Sequence, residues 1–291
     1  MMKIKISIKK RKTLSSIKAI KPLKAGNSPQ YIVSLTTFGK RLTNTAPYAI
    51  ITLLNQSVSP DRIVLWVGNN EKENVPDILY RLKDKGLEIK YCEDIRSYKK
   101  LIPSLELFPN DYIITTDDDV YYPCDWFEQL LTAHKKNTNR IICFRAHRIV
   151  VDINHNPLPY TEWEFGVTPN NAKHQPESVF PTGVGGILYP PGCFHKDVTD
   201  KELFIKLAPY ADDIWFWAMA IINKKYFADN SPYVIAQNKK PARLKYIEQN
   251  LNDEAGSLWR YNSHGGNDTQ LKSVIERYPE TKDTLRKINP L

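Results

Sequence analysis

Short apolar runs alternate with polar turns and helix-patterned segments through the first half of the chain. Residues 31–36 (Tyr-Ile-Val-Ser-Leu-Thr) form the first run and are expected to be a strand, with a polar turn over 37–41. Residues 44–56 place apolar side chains at helical spacing behind Asn44 or Thr45, either of which suits an N-cap. Strands are expected over 62–67, 87–92 and 112–116, separated by a helix over 75–85 that Gly86 stops and a short helix over 99–105. A helix over 125–136 and a strand over 140–144 follow. Residues 147–195 are rich in Pro, Gly and Asn and show no sustained helical period, so loops and short antiparallel strands are expected. The helical pattern resumes over 200–223, and the last third holds isolated helices such as 268–277. Strand and helix in alternation, with short connections, predict an α/β fold: a mostly parallel central sheet with helices on both faces. Ligands of such sheets sit at the carboxyl ends of the strands.

Charge divides the chain. The net charge is +9, and residues 1–28 hold nine basic residues and no acidic one. The remaining 32 basic residues match the 32 acidic ones, so the body is balanced and a uniformly basic nucleic-acid-binding surface is not indicated. The expected organisation is a basic N-terminal arm, 1–28, and one catalytic domain, 29–291. Ile4, Ile6, Ile8, Leu14, Ile17 and Ile20 lie among the arm's cations, which suits reversible attachment to an anionic membrane surface. A disordered tail is the simpler alternative. The four cysteines are widely spaced without a CxxC pair, so neither a structural zinc site nor a disulfide framework is expected. The longest apolar run, 214–222, has nine residues, whereas a membrane span needs about 20. With no signal peptide pattern, the expected location is cytoplasmic, with a peripheral place at the inner membrane face.

The sharpest chemical feature is Asp117-Asp118-Asp119, into which the fourth apolar strand runs directly and which Val-Tyr-Tyr-Pro closes. Three adjacent carboxylates repel one another and invite a hard divalent cation, Mn²⁺ or Mg²⁺, which shares its oxygen ligands with substrate phosphates. A solvated acidic turn is the alternative. Thr36 and Thr37, with Arg41 beyond them, end the first strand. Arg96, Lys99 and Lys100 precede the Asp strand, where cations can neutralise a diphosphate or simply face solvent. Gly185 and Gly186, in Pro-Thr-Gly-Val-Gly-Gly-Ile, permit close backbone approach to a ligand but lack the ending of a phosphate-binding Walker loop. Asp212-Asp213 precede Ile-Trp-Phe-Trp at a helix start, where Asp is also a favoured cap. His264 stands in a Gly-rich turn, Ser-His-Gly-Gly.

Together these segments, across residues 30–270, resemble the GT-A superfamily of glycosyltransferases, marked by a DxD motif at the end of a central strand. The resemblance implies that Asp119 coordinates the metal and that Asp117 contacts ribose or a metal-bound water, with Asp118 between them. It implies that Thr36, Thr37 and Arg41 hold the nucleotide, and that His264 is a further metal ligand. Gly185 and Gly186 fall where donor sugar and acceptor are held. Superfamily members carry an acidic pair at the start of a helix below the acceptor, its second member being the base of inverting enzymes. Asp213 is the base on that mapping, and Asp212 its partner. The implied activity is hexose transfer from a nucleotide-diphosphate sugar, UDP-linked as in most metal-dependent members. The acceptor implied is a glycan or lipid-linked glycan of bacterial surface polysaccharide. The chain departs from the commonest bacterial pattern, which has Glu-Asp at 212–213 and a Gln/Arg-xx-Arg-Trp segment, of which Trp259-Arg260 is the nearest trace. A sugar-phosphate nucleotidyltransferase and a non-catalytic glycan-binding protein remain as alternatives. The first normally opens with a Gly-rich basic loop that the chain lacks after its first strand. Intact acids speak against the second.

Overall fold

The computed structural model describes residues 2–228, 231–236, 245–248 and 262–291. The chain divides into two compact units, residues 1–132 with 238–251 and residues 133–237 with 252–291.

Four parallel strands carry the first unit, in the order β4 (Tyr112–Thr116), β1 (Tyr31–Thr37), β2 (Arg62–Gly68), β3 (Leu87–Cys92). Ile32, Val33, Leu35, Ile63, Leu65, Ile113 and Ile114 are fully buried. That explains why these strands read as apolar runs and not as alternation: a parallel sheet is covered on both faces. The helix Ala46–Leu54 follows β1, with Pro47 in its first turn, where a missing N–H costs nothing. Neither Asn44 nor Thr45 caps it through its side chain. A separate turn of helix, Arg41–Asn44, comes first, and the Thr45 hydroxyl donates back to the Arg41 carbonyl at 3.4 Å. Beyond β4 the chain forms β5 (Val120–Tyr121), which pairs antiparallel with Lys245–Tyr246.

The first ordered element is not β1. A helix, Met2–Ser15, precedes it and packs against the Ala46–Leu54 helix. Lys9 lies 3.5 Å from the centre of the Tyr121 ring, and Lys10 pairs with Glu248 and lies 4.9 Å from the Tyr48 ring. Cations over aromatic faces and a partly buried ion pair attach the basic segment to the unit. Further along, Ile20 is buried and Leu23 donates its N–H to the Lys85 carbonyl. Gly86 is required here. Its φ is +102°, and a Cβ would stand 2.7 Å from Leu23 Cβ.

In the second unit β6 (Ile141–Cys143) pairs parallel with Tyr233–Ile235 and antiparallel with β9 (Ile187–Tyr189). β7 (Ala146–Arg148) and β8 (Val179–Pro181) form the antiparallel pair expected in the loop-rich region. The helix expected over 200–223 is two helices, Lys201–Leu207 and Asp212–Ile221. Pro209 lies in the break and cannot supply the amide a continuous helix needs. The second helix buries Trp215, Phe216 and Trp217, and Trp215 donates its indole N–H to the Val198 carbonyl at 2.9 Å. Mostly parallel pairing between strands linked by helices gives the mixed α/β class expected. No helix among the described residues is long and apolar enough to cross a membrane.

Candidate active site

The carboxyl ends of the four parallel strands carry most of the expected site residues of the first unit. Leu35 pairs with Thr116 and Thr37 with Val67, so Thr36-Thr37 and Asp117-Asp118 leave adjacent strands at the same end. The Thr36 hydroxyl is used within the sheet, donating to the Trp66 carbonyl at 2.9 Å. The Thr37 and Thr116 hydroxyls are buried and have no hydrogen-bond partner among the described residues. Buried polar groups are ordinarily satisfied, so orphans gathered at one strand end mark a place for a polar ligand.

Asp118 and Asp119 are nearly enclosed, and Arg41 joins them, its Nη1 standing 2.8 Å from Asp118 Oδ1 and 3.0 Å from Asp119 Oδ2. The Arg41 cation is held despite its burial, because Asp118, Asp119 and Asp117 raise its pKa further. Arg41 is thus first a counter-charge to the acids. Burial raises the Asp119 pKa above the usual carboxylate range. Arg41 opposes that shift and Asp118 adds to it. The turn is fixed by its backbone: Asp117 donates its N–H to the Tyr122 hydroxyl at 2.8 Å, and the Asp119 carbonyl accepts from Ile247 N–H at 2.8 Å.

The three expected cations before β4 play different parts. Lys99 is buried and pairs with Asp94, which also accepts the Arg96 N–H at 3.1 Å. Burial would raise the Asp94 pKa, but the bonds from Lys99 and Arg96 bring it below the usual value. Lys100 contributes its carbonyl to the Ser34 hydroxyl at 2.6 Å. Arg96 is exposed and has a φ of +59°, a left-handed backbone uncommon for a residue with a side chain.

Asp212 and Asp213 belong to the second unit and open the helix Asp212–Ile221 from inside its first turn. The cap position is Ala211, which makes no side-chain capping bond. Asp213 Oδ2 instead accepts the Gly183 N–H at 3.2 Å. This bond reaches to the glycine segment, where Gly185 and Gly186 have φ values of +96° and +104°. Those two positions need glycine, because a side chain there is strained by about 1–2 kcal/mol. Asp213 also lines a small pocket with Tyr189, Phe216, Trp217 and Tyr233. Burial, with Asp213 next, pushes the Tyr160 hydroxyl up to about 12. Asp212 is buried.

His264 is exposed within the turn Asn262–Gly266. That turn and the helix after it secure the approach to Asp212: Asn262 Nδ2 donates to the Tyr210 carbonyl at 2.8 Å, and Gln270 accepts the Tyr210 N–H at 2.7 Å. Among the described residues no three His, Cys, Asp or Glu side chains gather into a group able to hold a metal ion. Trp259 and Arg260 lie outside the described residues.

Three residues gathered around Tyr160, which feels the Asp213 charge, carry no sequence signal of function. Tyr160, His147 and Arg145 sit in loop and short-strand sequence without motif character. Only their placement by β7, β8 and the Gly183 turn brings them to notice.

A search of curated proteins finds no match to the chain. Among solved structures the chain is similar to S. aureus TarS in complex with UDP-GlcNAc, at 11% identity and a TM-score of 0.50, covering 84% of this chain and 66% of that one. It is also similar to S. aureus TarS in complex with UDP, at 10% identity and a TM-score of 0.43, covering 72% and 58%. The chain therefore spans less than two thirds of the length of either structure, and the first likeness bears on the fold alone. The profile described as Glycosyl transferase family 2 matches residues 43–189, just over half of the chain, from the end of the β1 turn through the Asp triplet to β9. With that match and an α/β fold whose acids stand at the ends of parallel strands, the chain belongs to glycosyl transferase family 2.

Proposed function

We propose that the protein transfers a hexose from a UDP-sugar to a hydroxyl of a glycan or lipid-linked glycan acceptor, with inversion, in the assembly of a bacterial surface polysaccharide. The observation that carries this reading is the Asp213 carboxylate, which is held by a backbone N–H, is not used to cap its helix, and borders an aromatic pocket. Residues 29–291 act in it as one catalytic domain. UDP is supported by the family and by the UDP-GlcNAc in the complex of TarS.

Asp213 takes the proton from the acceptor hydroxyl as that oxygen bonds to the anomeric carbon and the bond from that carbon to the diphosphate breaks. Asp212, buried beside it, positions the helix start. Gly185 and Gly186 admit the donor sugar close to the backbone. Thr36, Thr37, Arg96 and Lys100 serve the nucleotide and its diphosphate, while Arg41 and Lys99 hold Asp118, Asp119 and Asp94 in place. The acids fit Mn²⁺ or Mg²⁺. Their donors are hard oxygens, Asp118 Oδ2 is buried without a hydrogen-bond partner among the described residues, and one Arg faces three carboxylates. Asp117 and Asp119 would hold the ion, with phosphate oxygens of the donor completing its shell. Such an ion supplies charge neutralisation to the diphosphate leaving group. The test of the stereochemistry is NMR of the product: its new linkage has the anomeric configuration opposite to the donor's, and a retained configuration overturns Asp213 as base.

The basic segment supports a peripheral place at the cytoplasmic membrane face. Arg11, Lys12, Lys18, Lys21 and Lys24 are exposed, whereas Lys9 and Lys10 are used in packing. Each exposed cation adds about 1 kcal/mol at an anionic surface, and salt screens it. Full-length protein is expected to co-sediment with anionic vesicles, less so as salt rises, and a variant with these five residues changed to Gln is expected not to. Equal sedimentation of the two, or none by either, contradicts this role. Deletion of residues 1–28 is the poorer test, since it also removes the packed helix.

A further inference from the structure

We propose that Arg145 recognises an oxyanion, phosphate or carboxylate, carried by the acceptor, so that this enzyme elongates or decorates a negatively charged glycan. The inference rests on the reading of Asp213 as the base that meets the acceptor hydroxyl.

Arg145 lies between β6 and β7 and is partly buried. Its guanidinium makes no hydrogen bond and no ion pair among the described residues. A guanidinium has five donors and keeps its charge at any physiological pH, so a partly exposed one without a protein partner keeps its donors available to water or to a ligand. The nearby Arg148 shows the ordinary arrangement, paired with Glu164 at 2.7 Å and bonded to the Asn171 carbonyl at 2.9 Å.

Backbone bonds tie Arg145 to Asp213. The Arg145 carbonyl accepts the Thr182 N–H at 3.1 Å, and the next residue, Gly183, donates its N–H to Asp213. Thr182 is buried, and its hydroxyl also has no hydrogen-bond partner among the described residues. Two unsatisfied donors therefore occupy paired backbone positions beside the proposed base. The charge of Arg145 is felt locally. It opposes the upward shift of Tyr160 that burial and Asp213 produce, and it adds to the burial that brings His147 down to about 4. His147 is accordingly neutral and accepts the Gly166 N–H at 3.1 Å, so it does not duplicate the cation.

The surroundings suit a sugar. The His147 ring packs 4.5 Å from Phe165, which is 54% exposed, and Tyr160 lies 5.4 Å from Phe165. Exposed rings of this kind offer an apolar face to a pyranose, and a forked cation beside them matches an oxyanion on the same sugar or the next.

The experiment uses the full chain as wild type, Arg145→Gln, Arg145→Lys and Asp213→Asn, each checked by thermal melting. The probes are methyl glucuronide and glycerol 1-phosphate against neutral methyl glucoside and glycerol, followed by NMR titration, with UDP binding measured by calorimetry. Wild type is expected to bind at least one charged probe about tenfold more tightly than its neutral counterpart, as one charge-assisted contact gives. Arg145→Gln loses that preference, Arg145→Lys keeps part of it, and UDP affinity is unchanged in both. A wild type that shows no preference for charge overturns the proposal. So does a tenfold loss of UDP affinity in Arg145→Gln, which places the guanidinium on the donor diphosphate instead. Asp213→Asn is expected to retain the charge preference. If that variant transfers sugar normally, the base assignment fails while the binding result for Arg145 is read independently.

Discussion

Asp213→Asn is expected to lower turnover by about 10²–10⁴-fold, the range of a lost general base, with UDP binding near that of wild type. The amide keeps the size of the carboxylate and can still accept the Gly183 N–H through its oxygen, so the glycine turn stays in place. It cannot accept the acceptor's proton at neutral pH. The companion variant Asp212→Asn separates position from chemistry. Asp212 is buried at the first helical position, and its replacement is expected to affect turnover less. Steady-state kinetics with one donor and a range of acceptor concentrations measures both. A crippled Asp212→Asn beside an active Asp213→Asn exchanges the two roles.

Asp119→Ala is expected to abolish transfer and Mn²⁺-dependent UDP binding in calorimetry while the protein stays folded. Folding survives because Arg41 keeps its 2.8 Å bond to Asp118. The same residue sets a pH dependence. The Asp119 pKa is raised in the folded protein, chiefly by burial, so the carboxyl holds its proton at higher pH than the ordinary value of about 3.9. Between the unfolded and folded pKa values the native state binds the extra proton. Stability therefore falls as pH rises through that window, and the ionised acid is a cost that a bound cation offsets. Mn²⁺-dependent UDP binding is expected to weaken on acidification from a pH above the ordinary carboxylate range. Full transfer in EDTA, or by Asp119→Ala, contradicts this assignment.

The central strands and the Asp triplet were legible because both faces of the sheet are covered. Burial turns β1, β2 and β4 into largely apolar runs, interrupted in β1 by Ser34, and the polar residues that end β1 and β4 mark the ligand edge. The N-terminal helix was not legible. Ile4, Ile6 and Ile8 alternate with polar residues and give no amphipathic helical stripe. What holds it includes contacts of Lys9 and Lys10 with Tyr121, Tyr48 and Glu248, partners remote in sequence. The break at Pro209 was visible as a residue but was outweighed by the apolar pattern on either side. Asp212-Asp213 reads first as a catalytic pair and also as a cap, and the cap position is in fact Ala211, with Gly183 donating to the Asp213 carboxylate. Lys99 illustrates the opposite error. A lysine before the Asp strand reads as a phosphate ligand, yet it is buried against Asp94. Arg145 carries no signal in the sequence, because lacking a partner among the described residues is a property of its surroundings.

The most direct measurement is release of nucleoside diphosphate from a panel of nucleotide sugars with Mn²⁺ present, by wild type, Asp119→Ala and Asp213→Asn. Wild type is expected to release UDP from a UDP-hexose, faster with an acceptor glycan, with release stopped by EDTA and lost in Asp119→Ala. In Asp213→Asn the acceleration by acceptor disappears. Turnover of no nucleotide sugar, or equal turnover by wild type and Asp119→Ala, contradicts the proposed function.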